Sequence, residues 1–201
     1  MSNRDRAIYW WRWSIDRNEP HCGHGSTFEN TRVVAAFIED VIREFKIQSI
    51  ADCGCGEYAL WMNTVNKAGA LYRGYDINGD LIRVNQLMNP GVYFEELDIT
   101  EQPPAKSDLV ICRDCLFHLP TDRAVMALNN FRTAGCRWLI STTFPDMKVN
   151  RDLDNYIDGP EMGYGYRPVN LIRAPYSLGD PIRFVDEVQF QRQVGLWRLN
   201  D

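Results

Sequence analysis

Four aspartates stand where short apolar runs end: Asp52 after QSIA, Asp76 after YRGY, Asp98 after FEEL and Asp114 after VICR. The first opens the turn Asp52-Cys53-Gly54-Cys55-Gly56-Glu57. Glycines there let the backbone approach a ligand closely, and a carboxylate ahead of them suits a cationic partner. Asp76, 22 residues beyond Gly54, is spaced to accept both hydroxyls of an adenosine ribose, and Asp98 to meet an adenine amino group. The fourth begins a different kind of chemistry. In Arg113-Asp114-Cys115-Leu116-Phe117-His118, Asp114 is the first candidate for a general base on an acceptor hydroxyl, with His118 second or orienting it. The structural alternative is an Arg113–Asp114 ion pair and a His118 that caps a helix.

Two ligands compete for the glycine turn. Gly54-x-Gly56-x-x-Ala59 satisfies a dinucleotide fingerprint, and Asp76 would then mark NAD. Asp52 argues against it, because S-adenosylmethionine carries a sulfonium and an α-ammonium where NAD presents pyrophosphate. The residues favour adenosylmethionine. Ser26 and Thr27 open a helix and offer its N-terminus to the methionine carboxylate, or simply cap it. His21 and His24 flank Cys22, but no partner at metal-ligand spacing accompanies them. No metal residue is assigned, a divalent metal requirement stays open, and His24 reads as part of a loop folding over the ligand. Tyr9, Trp10, Trp11 and Trp13 form an aromatic patch in which Trp11 suits stacking on an acceptor. Tyr164, Tyr166, Arg167 and Asn170 offer hydrogen bonds to a polyhydroxylated one.

These residues need a scaffold that brings strand ends together. Apolar residues at 33, 34, 37, 38, 41, 42 and 45 have helical spacing. A strand follows at 47–53, then the turn, then a helix at 58–68 closed by Gly69. Strands at 71–77, 92–99, 107–114 and 137–144 alternate with helices at 79–89 and 121–135. That alternation predicts an α/β fold with a doubly wound, mostly parallel sheet of seven strands. Residues 182–190 and 194–199 read as strands too closely linked for a crossover, so they should pair antiparallel.

The chain has 201 residues, 45% hydrophobic and 24% charged, enough for one domain. Within it, 1–26 reads as a lid and acceptor segment, 27–144 as the cofactor-binding core, 145–181 as an acceptor-side insertion and 182–201 as a hairpin. Its 22 Lys plus Arg stand against 27 Asp plus Glu, which disfavours a nucleic-acid partner, since phosphate binding wants a basic face. No apolar run reaches membrane-span length, and six cysteines in mostly apolar runs suit reduced thiols in the cytoplasm. Oligomeric state is not legible.

The segments DCGCG (52–56), Asp76, Asp98 and Cys112-Arg113-Asp114 resemble class I S-adenosylmethionine-dependent methyltransferases, over about 23–199. GHGSTFENT (23–31), ICRDCLFHLP (111–120), STTFP (141–145), YRPVNL (166–171) and GLWRL (195–199) look like a group of small bacterial and viral methyltransferases often encoded near glycosyltransferases. The glycine loop departs from that group, reading CGEYALWM where CGDFNWM is usual, so no contact is carried over at 57–61. The resemblance implies a Rossmann-like sheet, adenosylmethionine as cofactor and adenosylhomocysteine as product. It implies cofactor contacts at Asp52, Cys53, Gly54, Gly56, Asp76, Ile77, Asp98, Ile99 and Arg113. A sugar or glycan hydroxyl would be the acceptor, reached by direct in-line transfer. The rivals are a methyltransferase of nucleotides or other small molecules, an NAD-dependent oxidoreductase and a non-catalytic cofactor-binding domain. A nucleic-acid enzyme would usually carry an NPPY-like motif for a flipped base, and none is present.

Overall fold

The computed structural model describes residues 22–58, 61–153 and 166–200. Its helices are α1 (Phe28–Glu44), α2 (Gly79–Met88) and α3 (Thr121–Thr133). Its strands are β1 (Ser49–Cys53), β2 (Leu71–Asp76), β3 (Tyr93–Glu96), β4 (Leu109–Cys112), β5 (Trp138–Thr143), β6 (Arg183–Glu187) and β7 (Arg192–Arg198). All seven form one sheet in the order β3-β2-β1-β4-β5-β7-β6. The first five are parallel, while β7 runs antiparallel to both β5 and β6. The α/β architecture and the antiparallel C-terminal pair match the expectation from the strand–helix alternation.

Side-chain alternation sorts the core onto two faces. Ile50, Leu109, Ile111 and Ile140 face α1, whose Val34, Phe37, Ile38, Val41 and Ile42 cover them. Ala51, Val110, Cys112 and Leu139 face α3, which contributes Ala124, Ala127, Leu128 and Phe131. Each fully buried Val, Leu, Ile or Phe contributes roughly 1.5–3 kcal/mol, so α1 is held by this one stripe. Thr27 begins it by accepting a hydrogen bond from Asn30 N at 3.4 Å, the capping alternative.

One expected element is absent among the described residues. Where a helix was expected at 58–68, residues 61–68 form a single 3₁₀ turn, Met62–Thr64. Short polar side chains there bond to the local backbone instead of continuing a helix. Thr64 Oγ1 donates to Trp61 O at 2.6 Å, and Asn66 Oδ1 accepts from Ala68 N at 2.9 Å. Ala68 and Gly69 then both take positive φ, which no helix continues through. Among the described residues, no helix is long and apolar enough to cross a membrane.

Candidate functional site

The winding reverses at β1: β2 and β3 build outward on one side, β4 and β5 on the other. In open α/β sheets ligands bind beyond the carboxyl ends of the strands at such a reversal, and the glycine turn follows β1 there. Gly54 (φ +83°) and Gly56 (φ +52°) are left-handed, a region glycine enters without strain. Every backbone N–H from 54 to 57 has a partner within the chain. Those of Gly54 and Cys55 donate to Tyr75 O at 2.8 and 2.9 Å. Gly56 N donates to Asp76 Oδ2 at 3.0 Å, and Glu57 N to Cys22 Sγ at 2.9 Å. A phosphate cradle needs free N–H groups at a helix N-terminus, and the described residues of this turn supply neither.

Asp76 ends β2 beside the turn. Its Oδ2 accepts from Gly56 N, and its Oδ1 from Asn78 N at 2.9 Å. A carboxylate has about four lone-pair sites, so this half-buried group retains capacity for two hydroxyls. Desolvation raises its pKa, against the opposing N–H groups of Asn78, Gly56 and Ile77. Asp52 is more enclosed. Tyr72 Oη donates to its Oδ2 at 2.6 Å, and burial pushes its carboxyl up to about 6 despite that bond and the Lys67 charge. Cys53 and Ile99 are buried in the α3-side core, and Ile77 is half-buried. Asp98 Oδ1 accepts from Thr100 N at 2.9 Å and from its hydroxyl at 2.7 Å, closing the turn after β3.

Beyond β4 the sheet order assembles a buried cluster of four charges. Asp114 Oδ2 meets Arg113 Nη1 at 3.0 Å and Arg192 Nη2 at 2.7 Å. Glu187 Oε1 meets Arg113 Nη2 at 2.7 Å, while its Oε2 meets Arg192 Nε at 2.8 Å. Thr142, on β5, donates to Asp114 Oδ1 at 2.7 Å and accepts from Asp114 N at 3.1 Å. These bonds hold Asp114 in a left-handed conformation (φ +53°), which aspartate tolerates better than most residues. Burial alone would raise its pKa, but Arg113, Arg192, the Thr142 hydroxyl and His118 together lower it. Such a carboxylate is a firm hydrogen-bond acceptor and a weak base. Arg113 also lies 5.4 Å over the Trp61 ring and donates to Gly25 O at 3.1 Å.

The Arg113–Asp114 pair was legible in the sequence; Glu187, Arg192, Thr142 and Cys22 were missed. The available signal was the charge at each end of the link between the last two strands, since Glu187 pairs with Arg192 in the β6–β7 ladder. Around the cluster stand aromatic rings: Phe117 packs on His118 at 4.4 Å and on Tyr166 at 5.0 Å. Tyr166 thus lies against Phe117 and His118, whereas Arg167 and Asn170, expected to face an acceptor, are buried. Arg167 is fully buried, donating to Leu119 O and to Tyr176 Oη. Asn170 donates to Pro145 O and Met147 O at 3.0 and 2.8 Å and accepts from Ile172 N at 3.0 Å. Both hold the segment after β5 together, Asn170 through loop backbone and Arg167 through its terminal nitrogens. His24 is exposed, and Ser26 Oγ donates to Cys22 O at 3.1 Å. Tyr9, Trp10, Trp11, Trp13, His21, Ala59 and Tyr164 lie outside the described residues. All six cysteines are free, and among the described residues no group of three His, Cys, Asp or Glu side chains is arranged to hold a metal.

By sequence, the chain matches no protein-family model and no curated protein. Its backbone is similar to that of magnesium protoporphyrin IX methyltransferase from Synechocystis PCC 6803 with bound SAM, at TM-score 0.65 and 19% identity over 98% of this chain and 96% of that one. It is also similar to 1,6-didemethyltoxoflavin-N1-methyltransferase from Burkholderia thailandensis, at TM-score 0.59 and 13% identity over 100% and 92% of the two chains. Human N-acetylserotonin methyltransferase in complex with SAM superimposes at TM-score 0.58 and 14% identity, covering 84% of this chain and 52% of that one. The chain has the fold of S-adenosylmethionine-dependent methyltransferases.

Proposed function

We propose that the chain is an S-adenosylmethionine-dependent O-methyltransferase acting on an uncharged hydroxyl, with a sugar or glycan as acceptor. The observation that carries the cofactor is the pairing of Asp76 with the glycine turn: a ribose acceptor with lone pairs to spare, beside the N–H groups of Gly54, Cys55 and Gly56, which Tyr75 O and Asp76 already engage. NAD would need those N–H groups for its pyrophosphate; adenosylmethionine has none. Asp52 supplies negative charge on the cofactor side, and Asp98, flanked by Ile99, stands at the next strand end for the adenine. When bound, the cofactor would supply an electrophilic methyl group on a sulfonium.

The acceptor reading rests on charge balance beyond β4. Two guanidiniums and two carboxylates neutralise one another there, so the site offers no net positive field to a phosphate-bearing molecule. Asp114 accepts the hydrogen bond of the acceptor hydroxyl and orients its oxygen, because its pKa is too low for a strong base. His118, on the 3₁₀ turn Leu116–His118, takes the proton as the oxygen is methylated. The sequence likeness to methyltransferases encoded near glycosyltransferases points to the same acceptor class. The core at 27–144 is assigned to the cofactor, and the segment after β5 to the acceptor.

Calorimetry with adenosylmethionine and adenosylhomocysteine tests the cofactor; absence of binding by both at millimolar concentration overturns the reading. Asp76→Asn removes the charge and one acceptor oxygen, and should weaken adenosylhomocysteine binding about 10- to 100-fold, as lost charge-assisted hydrogen bonds do. Undiminished affinity would remove Asp76 from the ribose site. For the acceptor, labelled adenosylmethionine is turned over against sugars, glycans and nucleotides, with and without Mg²⁺ or Mn²⁺. Turnover confined to phosphorylated acceptors would overturn the charge argument.

A further inference from the structure

Gly56 is glycine for a spatial reason as well as a conformational one. A Cβ built on it would collide with Cys22 Sγ, the same sulfur that accepts the Glu57 N–H. Cys22 belongs to no helix or strand and meets the turn from 35 residues away in sequence. It begins a strap, residues 22–26, that is hydrogen-bonded to itself: Ser26 N donates to Gly23 O at 3.0 Å and Ser26 Oγ to Cys22 O at 3.1 Å. The strap has a second anchor in the Arg113 bond to Gly25 O at 3.1 Å. Gly25 also lies close against the cluster, where a Cβ would come within 3.4 Å of Asp114 Oδ2 and 3.5 Å of Arg192 Nη2. The strap therefore spans from the glycine turn to the charges beyond β4.

The first anchor is of a kind that releases at little cost, and the second leaves its donor paired when it is lost. Sulfur is a weak hydrogen-bond acceptor, so a ligand oxygen presented to Glu57 N competes well with it. Losing Gly25 leaves no buried cation unpaired, because Arg113 keeps Asp114 and Glu187. Meanwhile the sulfur fills the notch that a glycine leaves open for close approach of a ligand.

We propose that the strap is a latch: Cys22 fills the notch above Gly56 in a closed state, and adenosylmethionine or adenosylhomocysteine binds at this turn only when the sulfur leaves. The proposal rests on the cofactor reading above. Apparent affinity is then reduced by the fraction of molecules that are unlatched, and removing the sulfur restores it.

The test uses the full chain. Adenosylhomocysteine should bind Cys22→Ala about 3- to 10-fold more tightly than wild type by calorimetry, as expected when a competing closed state is removed. In wild type, iodoacetamide labelling of Cys22, read by peptide mass spectrometry, should be slow in the free protein and accelerate at saturating adenosylhomocysteine. The labelling arm stands even if the variant folds poorly. Equal or weaker binding by a folded Cys22→Ala, or protection of Cys22 by the ligand, overturns the latch and makes the strap a wall that closes on the cofactor. Failure of both proteins to bind removes the cofactor reading and the latch with it; equal binding by both removes the latch alone.

Discussion

Replacing Glu187 by alanine is expected to lower stability by roughly 3–5 kcal/mol, the cost of breaking a buried ion pair from one side. Glu187 is 1% exposed, and each of its oxygens holds a different guanidinium. Without it, Arg113 and Arg192 share the single carboxylate of Asp114, and two buried cations face one anion. At about 2–4 °C per kcal/mol for a chain of this size, the Tm should fall by about 6–20 °C, read by thermal unfolding at neutral pH. Glu187→Gln keeps one acceptor oxygen and the shape, and should lose less. A fall below about 1 kcal/mol in Glu187→Ala would mean that the guanidiniums reach water freely, as exposed pairs do, and that the cluster does not fix the β4 end.

Asp52→Asn should move stability and ligand binding in opposite directions. The Asp52 carboxyl titrates at about 6 in the folded chain against 3.8 for its ordinary value, so the folded state binds this proton more tightly than the unfolded one. The group therefore costs nothing below about pH 4, and its cost grows as pH rises through about 4 to 6 and stays constant above. Asparagine keeps an acceptor for the Tyr72 hydroxyl and removes the buried charge. A tenfold difference in proton affinity between folded and unfolded chain is worth about 1.4 kcal/mol. At pH 8 the variant should therefore be more stable than wild type by roughly 2–3 kcal/mol, and by little near pH 4. Urea unfolding at both pH values measures it. The same variant should bind adenosylmethionine about 10-fold or more weakly, in line with loss of a charged partner. A variant that is both more stable and equally tight in binding would show Asp52 to be a structural carboxyl with no cofactor role.

If Asp52 serves the cofactor as proposed, a stabilising substitution there is what stability–function trade-off leads one to expect. The cluster beyond β4 is different, because its charges are mutually satisfied and its removal destabilises. Together the two variants separate Asp52, proposed to face the cofactor, from Glu187, which holds Arg113 and Arg192 in place.

Much of the fold was readable from one chain because its signals are local. The stripe on α1, the strand end at Asp76, the carboxylate just past β4 at Asp114, and the short link before Arg192 each depend on residues within one or two turns or strands of one another. The missing helix after the glycine turn illustrates the limit. Its apolar residues Met62 and Val65 are buried as expected, but Thr64 and Asn66 bond to their own backbone, and periodicity does not report that competition. Arg167 and Asn170 mislead for a similar reason: polar side chains in a loop-rich segment read as surface groups until their partners are known.

Period, propensity and turn chemistry act over a few neighbouring residues. The order of amino acids alone therefore dictates the alternation of strands and helices, the antiparallel end of the sheet, and the acidic strand ends beside a glycine turn. What those acids do depends on the folded chain. Strand order brings Glu187 and Arg192 to Arg113 and Asp114 across separations of 74 and 78 residues, and a strap 35 residues upstream of the turn puts Cys22 over Gly56. A carboxylate acts as base, anchor or ligand according to the charges within a few ångströms of it, and chain folding, not spacing along the chain, selects those neighbours.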